Sequence, residues 1–182
     1  MSPKTLSSGE TMHIHHGELL LAVPGSTAAG LLELVFYKTK ANQSGWLCRR
    51  PVSNCPQQVG DLSWIDMDGE TVLRLSSLSD INELRLYLAH DQSTPSAPHS
   101  VYLIAKDGHA QIISDTIHWE FPTSASVALL AEVKVTDSGT SRLSYQPCVV
   151  DWTDLPETPN FIHEMTGSGI VFSSINPTLD EL

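Results

Sequence analysis

The chain has 182 residues, 41% of them hydrophobic and 17% charged, the balance of a globule that buries a core and not of a disordered segment. Its formal net charge is −11, from 21 acidic against 10 basic residues that are scattered apart from the adjacent Arg49 and Arg50, which sets aside phosphate backbones and anionic lipid as partners. The longest apolar runs, Leu19 to Val23 and Val127 to Ala131, are strand-sized and fall far short of the roughly eighteen residues that a membrane-crossing helix needs.

The amino terminus, Met1-Ser2-Pro3-Lys4, shows no charged segment followed by a long apolar core, so no secretory leader is read and a cytoplasmic location is expected. Thr11 to His15 alternates, placing Met12 and Ile14 on one face and His13 and His15 on the other, as in a half-buried strand. Leu19 to Val23 and Leu31 to Tyr37 are separated by Pro24-Gly25 through Gly30 and read as a paired hairpin. From Lys38 to Gln58 the text is polar and broken by Gly45, Pro51 and Pro56, with Trp46 and Leu47 as anchors, and a long loop is expected.

Val72, Leu73 and Leu75 lead into Ser79-Asp80-Ile81-Asn82-Glu83, whose Ser or Asp followed by Glu suits the cap of a single helical turn. Leu84 to Leu88 alternates again, and Gln92 to Pro98 is a loop. Val101 to Ala105 and Ala110 to Ile113 flank Lys106-Asp107-Gly108-His109, a hairpin specified by Asp-Gly, which tolerates the positive φ of tight reversals. Ser126 to Val135 is the longest strand, although Val127 to Ala131 is also compatible with helix by composition. Asp137 to Thr140 returns it into Arg142-Leu143-Ser144-Tyr145, and Pro147 to Pro159 reads as loop. About eight strands with short turns predict an all-β, antiparallel β-sandwich with at most one or two short helical turns, a domain over residues 1–160 and a tail over 161–182.

Chemistry-bearing residues are sparse. His13, His15 and His16, with Glu10 or Glu18, could hold a metal ion from alternate strand positions, but an exposed polar edge strand gives the same text and is the preferred reading. Cys48, Cys55 and Cys148 are an odd number; Cys48 and Cys55 suit a disulfide or half a metal site, while two reduced loop thiols are the reading favoured for a reducing compartment. Asp115, His118 and Glu120 have no accompanying nucleophile, no Gly-x-Ser-x-Gly elbow is present, and Gly167-Ser168-Gly169 lacks the rest of a phosphate loop. The densest acidic stretch is Gly60 to Glu70, where Asp61, Asp66, Asp68 and Glu70 offer hard oxygen ligands of the kind calcium prefers, without the EF-hand spacing.

Gly60-Asp61 followed by Asp66-x-Asp68-Gly69-Glu70, then Val72-x-x-Leu75-Ser76 and Ile81-x-x-Leu84-x-Leu86, resembles the TerD-type domain of tellurium-resistance and stress proteins. Leu6-Ser7-Ser8-Gly9-Glu10-Thr11 looks like that family's opening, and Val127 to Val133 with Arg142 to Tyr145 like its late paired strands, so the likeness runs from Leu6 to Trp152. It implies a non-enzymatic β-sandwich of a bacterial stress or tellurium-resistance system, binding Ca2+ through Asp61, Asp66, Asp68 and Glu70 and working through protein partners. The family's Asp-x-Asp strand falls near Leu31 to Phe36, where Glu33 is the sole acid, so the fold carries over more safely than calcium. Two other readings stand beside it: a structural protein assembling, as a homo-oligomer for example, through sheet edges, and a metal-dependent enzyme built on His13 and His15.

Overall fold

The structure, a computed structural model, describes residues 4–14, 18–24, 31–49, 58–60, 62–67, 70–76, 81–90, 99–107, 111–119, 126–135, 141–151 and 154–155. The first half holds β1 (Lys4–Leu6), β2 (Glu10–Ile14), β3 (Leu19–Ala22), β4 (Leu31–Thr39), β5 (Ser44–Cys48), β6 (Gln58–Val59), β7 (Leu62–Met67) and β8 (Glu70–Leu75). The second half adds β9 (Ile81–His90), β10 (His99–Val101), β11 (Ile104–Lys106), β12 (Gln111–Ser114), β13 (Ile117–Trp119), β14 (Ser126–Val135), β15 (Ser141–Tyr145) and β16 (Cys148–Asp151). No α-helix occurs among the described residues.

Two sheets form an all-β sandwich. The first runs β1-β12-β11-β3-β8-β7-β6 and the second β2-β15-β14-β9-β4-β5, with β16 also on β14; β10 and β13 make a separate ladder. Pairing is antiparallel except between β1 and β12. The inward positions of both sheets, among them Leu21, Leu73 and Ala105 from the first and Val35, Leu86, Leu88 and Val133 from the second, close into one core. A residual void beside Leu21, Val35, Leu73, Leu86 and Val133 has no room for a water molecule.

The second sheet is buried on both faces at its centre. In β4 every residue from Leu31 to Phe36 is buried, because Leu32, Leu34 and Phe36 join Trp46, Cys48, Tyr87, Val127 and Leu155 in a second apolar cluster on the face turned away from the first sheet. Trp46 stands tilted between Phe36 and Tyr87, with ring centroids 5.3 Å from each, a favourable arrangement of aromatic quadrupoles.

Several expectations change. Leu19 to Val23 and Leu31 to Tyr37 are not a hairpin: β3 pairs with β8 and β11 in one sheet, β4 with β5 and β9 in the other. A strand buried on both faces needs a neighbour on each side, and β9 and β5 supply them. The loop expected from Lys38 contains β5, hairpinned to β4 by a turn in which Thr39 N–H donates to Gln43 O at 2.7 Å and Asn42 takes φ 64°. Ile81 to Glu83 open strand β9 instead of a helical turn, since buried Ile81 and Leu84 are claimed by the core. Val101 leaves the expected hairpin and pairs in β10 with Ile117, while β11 and β12 keep the rest of it. Ser126 to Val135 is strand, and its return is β15. Part of the expected loop after Pro147 is strand β16. Residues 156–182, including the tail, lie outside the described residues.

The corner from β1 to β2 explains the opening motif. Glu10 N–H donates to Ser7 O at 3.0 Å, Ser7 N–H donates to the Glu10 carboxylate at 2.6 Å, and Gly9 between them takes φ 91°, a conformation that costs glycine little. A carboxylate at position 10 thus closes the turn that carries the chain from the first sheet to the second.

Candidate functional site

The acidic stretch is built as a hairpin. β7 pairs with β8 from Leu62↔Leu75 to Met67↔Glu70, which leaves Asp68 and Gly69 to join the strands. Asp66 stands one register step before that end, exposed, and accepts from Thr71 Oγ1 at 3.4 Å across the ladder. Glu70 is the first residue of β8. Asp61 and Asp68 lie outside the described residues. Burial accounts for the local fold: Leu62 and Trp64 bury toward the core from alternate positions. Among the described residues no group of three His, Cys, Asp or Glu side chains is placed to hold a metal ion.

Glu33, the one acid of the strand from which the TerD likeness would draw further ligands, is 2% exposed on β4. Its Oε2 is 3.7 Å from Nε of Arg49, and Arg49 Nη2 also donates to Leu31 O at 2.8 Å. The guanidinium neutralises a carboxylate that would be costly to bury alone, so Glu33 serves the sandwich.

His13 lies on β2 opposite Arg142 of β15. A cation directly across the ladder is an unfavourable neighbour for a divalent ion on His13. His15 and His16 lie outside the described residues. His118 Nδ1 shares a 2.6 Å hydrogen bond with Ser100 Oγ across β10 and β13. Asp115 is engaged through its main chain, and Glu120 lies outside the described residues.

The cysteines correct the expectation of reduced loop thiols. Cys48 is buried and disulfide-bonded, and Cys148 is a free, exposed thiol; Cys55 lies outside the described residues. Cys48, Leu34, Tyr87, Leu129 and Cys148 are register partners in turn, so four strand spacings of about 4.8 Å separate the two described cysteines, well beyond disulfide reach. β5 turns the bonded Cys48 into the second apolar cluster.

On the same outer face Arg85 gathers the acids Glu83, at 2.6 Å, and Glu132, at 3.0 Å. Burial alone would lower the Arg85 guanidinium, but its hydrogen bond with Tyr87 and the charges of Glu83 and Glu132 outweigh this and raise it. Burial pushes the Tyr87 phenol up, against the pull of Arg85. Glu83 and Tyr87 lie on β9 with Arg85, so the Arg85–Glu132 pair is the one of these contacts that ties β9 to β14.

The feature least visible in the sequence is a groove of about 290 Å³ on the outer face of the first sheet, lined by Leu20, Ala22, Met67, Val72 and Ile104 with Lys106 and Gln111. The signal for it was the text Leu19-Leu20-Leu21-Ala22, which lacks the polar positions a half-solvated strand would show. No helix among the described residues is long and apolar enough to cross a membrane. No protein-family model, no curated protein and no solved structure matches the chain.

Proposed function

We propose that the chain is a non-enzymatic binding module of the TerD-like kind, serving a stress or tellurium-resistance type system through protein partners, with calcium held at the β7–β8 hairpin. The observation that carries this reading is the hairpin itself: its register ends at Met67↔Glu70, with Asp66 exposed one step before that end and Asp68 between the two strands in the sequence. The order of acidic segment, apolar strand β8 and following strand β9 is also the order the family likeness requires. Oxygen donors of this kind suit a hard cation that accepts irregular geometry, which is calcium before magnesium. Asp61 would complete the set.

Calorimetric titration of chelator-treated protein with calcium tests it, repeated on Asp66→Asn/Asp68→Asn. Micromolar binding that the double exchange abolishes, with an unchanged far-ultraviolet spectrum, supports the reading. Absence of heat, together with absence of a calcium-dependent rise in melting temperature, removes calcium from it.

Assembly through sheet edges is the second reading, favoured by β5, which among the described residues pairs with β4 alone. The opposite edge, β2, carries Glu10, Thr11 and His13, polar residues of the sort that blunt an edge. Sedimentation that shifts with concentration and ignores calcium would select this reading over the first.

A further inference from the structure

The first sheet turns an unusual surface to solvent. A sandwich ordinarily places polar side chains at the outward positions. Here Ile113, Ile104 and Ala22 are outward register partners across β12, β11 and β3, and Val72 and Ile65 continue the apolar face on β8 and β7. None of the five belongs to the core shared with the second sheet. The adjacent outward row is Gln111, Lys106, Leu20, Arg74 and Ser63, again partners in turn. An apolar row therefore lies beside one with two cations.

Those cations differ. Arg74 Nε is 2.7 Å from Glu18 Oε2. Lys106 is exposed and, among the described residues, has no acidic partner. Its register neighbour Gln111 adds an amide donor on the same wall of the groove. Met67, 40% exposed at the end of β7, borders the apolar side. The net charge of −11 repels anions at long range, but physiological salt screens that field beyond about 8 Å, so the ammonium in the groove decides what binds there.

We propose that this groove is a binding site for a small apolar carboxylate, its chain lying on Leu20, Ala22, Val72 and Ile104 and its carboxylate on Lys106, with Gln111 donating an amide N–H. The volume sets the length. At about 30 Å³ for each small group, the site takes roughly ten heavy atoms, the size of octanoate. The groove takes Met67 and Val72 from the β7–β8 hairpin but uses none of its carboxylates and requires no metal.

The test is an NMR titration of the full chain, in chelator, with hexanoate, heptanoate and octanoate. Amide shifts confined to the groove strands β3, β7, β8, β11 and β12, with a dissociation constant that falls about fourfold per added methylene, are expected from burial of the chain. Lys106→Gln should weaken octanoate tenfold or more, because a charge-assisted bond is lost. Ala22→Glu, on the solvent face, should abolish binding; an unchanged melting temperature would show that neither variant has unfolded. Octyltrimethylammonium should fail to bind. Saturation with millimolar octanoate without shifts, shifts on other strands, equal affinity for the ammonium, or indifference to Lys106→Gln would each overturn the proposal. Because chelator is present throughout, loss of the calcium reading leaves this result intact.

Discussion

The phenolic hydroxyl of Tyr145, on β15 of the second sheet, donates to the main-chain carbonyl of Asp115, just past β12 of the first, at 2.7 Å. Around this bond Gly9 N–H donates to Tyr145 O at 2.7 Å and Asp115 N–H to Leu6 O at 3.0 Å. Tyr145 and Asp115 thus grip both ends of the Leu6 to Gly9 corner that crosses between sheets. The side chain of Tyr145 is fully buried, which makes its hydroxyl a deliberate polar tie in an apolar core.

Tyr145→Phe keeps the ring and deletes the tie, leaving the Asp115 carbonyl with the Ser114 hydroxyl, at 3.0 Å, in place of two donors. The expected cost is about 1–2 kcal/mol, which lowers the melting temperature by roughly 2–8 °C in a chain of this size. Thermal melts at neutral pH check it, and a change below 1 °C would show that water replaces the hydroxyl at no cost.

Alkaline pH reaches the same residue. Burial pushes the phenols of Tyr145 and Tyr87 up, opposed by hydrogen bonds from Ser114 and Arg85 respectively. In the unfolded chain both ionise near pH 10, so above about pH 10 the unfolded state binds fewer protons than the folded one, and stability falls as pH rises. The contribution is complete below about pH 10 and is lost as pH climbs through the folded values. Melting temperatures between pH 8 and 12 should hold level and then decline, with a shallower decline in Tyr87→Phe/Tyr145→Phe; identical slopes would exclude these phenols as the cause.

Glu33 and Arg49 offer a double-mutant cycle. Glu33→Ala strands a guanidinium whose side chain is 12% exposed, at an expected cost of about 3 kcal/mol. Glu33→Leu combined with Arg49→Met should recover most of that loss, because an apolar pair needs no desolvation. Calcium affinity should be unaffected by Glu33→Ala once measured on the folded fraction. A drop in that affinity would add Glu33 to the ligand set.

The bonded state of Cys48 is read directly by alkylation. Denatured without reductant, the chain should expose one reactive thiol, Cys148, out of three cysteines. Reductant should lower stability by about 2–4 kcal/mol. Three reactive thiols in freshly isolated protein would instead match a reducing compartment, where such bonds rarely persist.

Local text was enough for the class of fold and for the pairings β11–β12 and β14–β15. Alternation in Glu10 to Ile14 and in β15, and Asp-Gly between β11 and β12, act through neighbours a few residues away, so period and turn chemistry are legible in one dimension. The ten-residue strand β14 was legible for the same reason, once its neighbours were read as strands. Asp66, Asp68 and Glu70 were visible as a cluster because they are close in sequence.

Tertiary structure decided what depends on partners far along the chain. Whether Leu19 to Ala22 pairs with Leu31 to Thr39 is not written in either run, because both are apolar on both faces and accept any register neighbour; β8 and β11 claim the first, β9 and β5 the second. Ile81 to Glu83 carry a helix-cap pattern, but the core's demand for Ile81 and Leu84 outweighs a preference worth about 1 kcal/mol. The groove beside Lys106 exists because four strands from distant parts of the chain turn Leu20, Val72, Met67 and Ile104 to one face. Composition determined that this protein has a core and strands; sheet order determined which apolar side chains were left outside it.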